Sequence, residues 1–168
     1  MNNLIVVNIA EQRLQLFMDD MVAMDVAIAS AKNGVGEQAG SERTPRGWHQ
    51  VRAMIGGDAK TNAVFVGRRN TGEIYSPDLR QAFPGRDWVL TRILWLSGLE
   101  SGKNRLGAVD TMRRYIYIHG CPDEDEMGVP SSHGCVKMRN TDVIKLFAAV
   151  VPGTQVFIGE NGFSGNIK

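Results

Sequence analysis

The chain has 168 residues, a length that suits one domain with a single hydrophobic core. Its 43% hydrophobic and 22% charged residues are those of an ordinary globular protein, and a net charge of +1 argues against nucleic acid as the main partner. Two cysteines are too few for a disulfide framework, and no segment approaches the run of about 20 apolar residues that a membrane span needs.

The opening residues, "MNNLIVVNIAEQRLQLF", lack the basic start and the apolar run of a signal peptide. With Met1 as the natural start the expectation is a cytoplasmic protein; behind a removed leader it becomes a periplasmic one. Residues 4–9 form a nearly continuous apolar run, suited to a strand covered on both faces. "RLQLF" alternates apolar and polar, "MDD" turns the chain, and "MVAMDVAIAS" continues, so a meander of short strands is predicted.

A polar loop, "KNGVGEQAGSERTPRG", follows. Gly34, Gly36 and Gly40 almost spell a dinucleotide fingerprint, but the third glycine falls one place late and a turn follows it, so no nucleotide site is expected. "TPRGWHQV" leads into a strand in which His49 reads as a surface or internally satisfied residue. The pairs Arg68-Arg69 and Arg113-Arg114 read as solvated positions. Residues 76–110 are the least legible: one apolar stretch over 88–96, between loops rich in Pro, Gly and Ser, suggests a strand with a flap or insert attached. Core packing is the default for Trp88 and Trp95, although both could line a cleft.

In "RRYIYIHG", strand alternation sends Ile116 and Ile118 to the core and Tyr115, Tyr117 and His119 to the opposite face. Later, Val143, Ile144, Phe147 and Val150 form a helical stripe that Asn140 or Thr141 could cap, with Pro152-Gly153 ending it and "TQVFI" as a closing strand. The expectation is one domain over 1–168, mainly β, with one clear late helix.

Residues 119–135, "HGCPDEDEMGVPSSHGC", open and close on His-Gly-Cys. Two His and two Cys could fill a tetrahedral zinc site of a peptide-binding module with a Tyr115/Tyr117 face, but His-x-Cys is not the usual knuckle spacing. Alternatively one cysteine is a nucleophile. Cys135 follows a glycine that lets a substrate approach, a short helical turn after it would lower the thiol pKa, and His119, sixteen positions upstream, is the natural base. The acidic run 123–126 reads as a solvated loop that could meet a substrate amine.

"SSHGCVKM" preceded by "YIHG" resembles the active-site signature of the L,D-transpeptidase (YkuD-type) catalytic domain family, in which His-Gly is followed by a loop and Ser/Thr-His-Gly-Cys. "IVVNIAEQRLQLF", "RTPRGWHQV" and "NTDVIKLFAAVVPGTQVFI" resemble its opening hairpin, its Thr-Pro-x-Gly turn and its closing helix and strand. The resemblance implies a mainly β (α+β) fold, a β-sandwich or barrel with a C-terminal helix, and a cofactor-free cysteine enzyme acting on peptidoglycan stem peptides. Cys135 matches the nucleophile and His119 the base and acid, with the Gly120 carbonyl orienting the ring. Ser132, His133 and Gly134 match positions shaping the pocket and its oxyanion donors, and Tyr117 and Lys137 are expected on the substrate side. Lys137 stands where the family usually has arginine, and Cys121 where a small hydroxyl residue is common. For a leaderless chain the expected reaction is hydrolysis of a terminal D-alanine from recycled muropeptide tetrapeptides; the alternative is transfer to an amine.

Overall fold

The computed structural model describes residues 2–163. Ten strands form one sheet: β1 (Asn3–Asn8), β2 (Arg13–Met18), β3 (Met21–Ala29), β4 (Gly47–Ile55), β5 (Ala63–Val66), β6 (Arg69–Ile74), β7 (Val89–Gly98), β8 (Tyr117–Gly120), β9 (Val136–Met138) and β10 (Gln155–Gly159). Their order is β4-β10-β1-β2-β3-β9-β8-β7-β5-β6, and β4 also pairs with β7. Eight strands therefore close on themselves as a barrel, while the β5–β6 hairpin extends from β7.

The expected meander is present. Asp19 and Asp20, both at positive φ (49° and 69°), make the two-residue turn between β2 and β3, a left-handed backbone that matches the twist of the flanking strands. Inside the barrel, Ile5, Val7, Leu14, Leu16, Ile28, Leu94, Leu96, Ile118 and Ile158 pack into one core. Each such side chain contributes about 1.5–3 kcal/mol on full burial.

The segment 76–110 divides differently from the sequence reading. Ser76 Oγ accepts from Leu79 N–H and caps a short helix, α1 (Pro77–Ala82). The apolar stretch becomes β7, which pairs with β4, β5 and β8 and so closes the barrel. The loop beyond it is tied down by buried Asn104, whose amide donates to the carbonyls of Arg46 (3.0 Å) and Trp48 (2.9 Å). Composition hid this role, because Gly and Ser mark loops whether free or docked. Trp88 is buried against Tyr75 and Leu90.

The second helix, α2 (Asn140–Ala149), buries Val143 and Leu146 against the core, so the inward stripe runs through Leu146 more than Ile144. Its N-cap position is Arg139, with no side-chain cap. Asn140 is turned inward instead. Its Oδ1 accepts from Thr91 Oγ1 (2.6 Å), and its Nδ2 faces Cys121 O (2.9 Å), Asn62 Oδ1 (3.0 Å) and Asp123 Oδ1 (3.1 Å). The oxygen that would cap the helix is taken instead by the Thr91 hydroxyl, while the Cys121 carbonyl, buried in the fold, holds Nδ2. Asn140→Ala should cost about 2–4 kcal/mol, seen as a lower urea midpoint at unchanged slope.

Candidate active site

A parallel pairing of β8 with β9, Ile118 opposite Val136 and His119 opposite Lys137, brings the two halves of the doubled motif together. Residues 121–135 form the crossover. Cys135 comes immediately before β9, beside Tyr117 rather than on a helical turn, so no helix dipole acts on its thiol. Its Sγ accepts from Tyr117 N–H (3.3 Å), and the thiol reaches Tyr115 O (3.5 Å). Burial, opposed by the Tyr117 N–H, pushes the Cys135 thiol up to about 12.

His119 lies at the pocket floor, 1% exposed. Its Nδ1 is 2.6 Å from the Gly120 carbonyl; a carbonyl only accepts, so Nδ1 carries the proton and Nε2 keeps a free lone pair. Burial holds its pKa below the ordinary 6.5. Burial thus disfavours both the imidazolium of His119 and the thiolate of Cys135. Gly120 must be glycine: a Cβ there would run into Asn140 Oδ1 and stand 2.6 Å from Leu90 O.

The loop carrying Cys135 is braced from several sides. Ser132 Oγ donates to Cys135 O (2.5 Å) and accepts from Gly134 N–H (3.2 Å). The Gly134 amide, expected to serve an oxyanion, is therefore already engaged. Thr44, fully buried, accepts from Ala31 N–H (3.0 Å) and donates to Gly134 O (2.9 Å). Gly134 has φ +136°, and a Cβ would lie 2.9 Å from Ile116 Cδ1.

Cys135, His119, Ser132, His133 and Lys137 share one pocket of about 170 Å³ with Asp87, Arg114, Tyr115 and Ile116. Tyr117 is not part of that lining. It is buried, its hydroxyl accepts from Arg68 (3.0 Å), and its ring meets Trp95 edge-on at 6.0 Å. The exposed tyrosine at the site is Tyr115.

Each arginine pair splits into one solvated and one engaged member. Arg68 sits over the rings of Trp95 (4.6 Å) and Tyr115 (4.7 Å). Arg114 donates to Arg43 O (2.6 Å) and Gly36 O (3.2 Å) while lining the pocket. Nor is the acidic run simply solvated: Asp125 holds Arg80 (2.8 Å) and Lys137 (3.5 Å). Sequence reasoning missed Arg114, Asp87 and the brace at Thr44. Only Thr44 had a signal, the Thr-Pro-x-Gly turn.

Cys121 is on its own. It follows Gly120 at the far end of β8 from Cys135, is 1% exposed, packs with Ala29 and Met127, and donates to Met138 O (3.3 Å). Burial pushes its thiol up to about 12. The four residues of the zinc reading do not converge, and no group of three metal-ligand side chains does so among the described residues. His49 is fully buried and satisfied by Gly47 O (3.0 Å) and Thr111 Oγ1 (2.9 Å).

Comparison with known proteins bears on this arrangement. A candidate L,D-transpeptidase of Bacillus subtilis (strain 168), YqjB, is 37% identical over 57 residues, 34% of this chain and 32% of that protein. An L,D-transpeptidase from Mycobacterium smegmatis superposes with a TM-score of 0.55 at 16% identity, covering 94% of this chain and 58% of that one. L,D-transpeptidase 3 from Mycobacterium tuberculosis, solved with a faropenem-derived adduct, gives 0.58 at 15% identity, covering 94% of this chain and 60% of that one. The chain spans about three-fifths of those two structures and a third of the curated relative, and the structural likeness concerns the fold. The L,D-transpeptidase catalytic domain (YkuD) model, in contrast, matches residues 2–158, from the first strand to the last and through both halves of the site, and the chain belongs to that family.

Proposed function

We propose that the protein transfers the acyl group of a peptidoglycan stem peptide to Cys135, releasing a terminal D-alanine. One observation carries this reading: the Nδ1–H···O=C bond of His119 to Gly120, which leaves Nε2 as a base in the pocket that holds Cys135, the one thiol of the described residues that is not fully buried. Sγ attacks the carbonyl on the L-centre of the diamino residue as its proton passes to Nε2. The imidazolium then gives that proton to the departing amine, and a thioester remains. The Tyr117 N–H, already on Sγ, favours the developing thiolate during attack.

For the acceptor our reading is water, making the enzyme an L,D-carboxypeptidase. The pocket of about 170 Å³ around Cys135 leaves room for a water beside the thioester. Membership of a family described by transpeptidation favours the second reading, an amine acceptor. Mass spectrometry of a diaminopimelate tetrapeptide, incubated with the protein and an added D-amino acid, separates them. Loss of D-alanine alone is the expected result. Replacement of D-alanine by the added amino acid would establish the transpeptidase, and an unchanged peptide would sink both.

A further inference from the structure

Besides His119 and the Tyr115 phenol, the charged or titratable side chains lining the pocket around Cys135 are Asp87, Arg114, His133 and Lys137. Both permanent cations are engaged within the protein. Lys137 lies 3.5 Å from Asp125 and 3.4 Å from Ser131 Oγ, with only 13% of its side chain exposed. Arg114 is spread across the backbone carbonyls of Gly36 and Arg43.

Asp87 is different. Its side chain is 58% exposed, and its nearest charged-type neighbour is His133, whose Nδ1 stands 3.9 Å away, beyond a hydrogen bond. No lysine or arginine among the described residues forms an ion pair with it. The backbone on either side is anchored: Arg86 pairs with Glu73 (2.8 Å) and stacks on Trp88 (4.6 Å), and Trp88 is buried. These neighbours place Asp87 in the pocket lining, where its exposed carboxylate has no lysine or arginine partner. Its charge reaches both reacting groups, favouring the protonated forms of His119 and Cys135.

An exposed carboxylate beside a nucleophile, with no lysine or arginine partner, attracts a cation brought by the ligand. We propose that Asp87 is a subsite for a primary ammonium on the peptide donor, the free amine that a diamino residue carries at the end of its side chain. This rests on the reading of Cys135 as the nucleophile toward stem peptides. The ammonium belongs to the donor and not to an incoming acceptor, because an attacking amine must be unprotonated and a neighbouring carboxylate stabilises its protonated form. The acidic run 123–126 does not fill this role at Asp125, which is committed to Arg80 and Lys137.

The test is equilibrium binding, read by calorimetry on Cys135→Ala protein at low salt. The probes are a diaminopimelate tetrapeptide with its free amine and the same peptide acetylated there. The free-amine peptide should bind about three- to five-fold more tightly. That preference should disappear in Asp87→Asn, survive in Asp87→Glu, and shrink at high salt as the pair is screened. Equal binding of the two peptides, a preference that survives Asp87→Asn, or no binding of either would overturn the subsite. Binding is measured without turnover, so a failure of wild-type protein to release D-alanine would count against the acyl-transfer reading and not against the subsite.

Discussion

Cys135→Ala should abolish release of D-alanine, a fall of at least about 10⁴-fold, because removing a covalent nucleophile leaves only binding and positioning. Wild-type protein quenched during turnover should carry the acyl mass on residue 135, and the variant should carry none. Cys121→Ala is the matched control. Cys121 is the more buried thiol, bonded to the Met138 carbonyl and packed among Ala29 and Met127. Its truncation should cost about 1 kcal/mol of stability and less than about two-fold in rate. Turnover retained by Cys135→Ala would mean that the wrong sulfur is assigned. The distinction is sharp because β8 separates the two thiols along its length, so neither can stand in for the other.

The strands were legible wherever local pattern and final environment agree. β1 reads as apolar on both faces and is buried on both; β2 alternates in sequence and in burial. Tertiary pairing is what the pattern could not show. β7 looked like the stem of a flap because its flanks are Gly- and Ser-rich, yet it is the strand on which the barrel closes. Asn140 has the chemistry of a cap, but the distant Thr91 hydroxyl takes its oxygen and the Cys121 carbonyl its amide N–H. Cys135 and His119 stood out because their residue types are rare in this chain and their motif is dense. Asp87 and Arg114 had no such mark: one lies in the least readable segment, the other in a charge pair that looked solvated. Long-range geometry alone placed them at the thiol.

His119→Gln should lower kcat by about 10²–10⁴-fold, the range of a lost general base, with a smaller change in KM. Glutamine can still donate to the Gly120 carbonyl, so ring position and loop geometry are tested least and proton transfer most. The pH profile is the more specific readout. Burial disfavours the imidazolium and holds the His119 pKa below 6.5. Nε2 therefore stays unprotonated, and the base available, further into acid than an exposed histidine allows; kcat/KM is lost only as pH falls through that lowered value. The acid limb of wild-type kcat/KM should lie below about pH 6.5, and in His119→Gln it should vanish from the residual rate. One control is built into the fold. His49 is also held neutral, its pKa lowered by burial to about 4. A buried histidine of this kind contributes stability that is whole above its unfolded value, about 6.5, and is lost as pH falls from there toward about 4. Rates on the acid limb should therefore be taken where full activity returns on readjustment to neutral pH. A reversible limb below pH 6.5 that is absent in His119→Gln assigns the base; a limb at or above 6.5 would show a solvated imidazole and remove the buried-base mechanism.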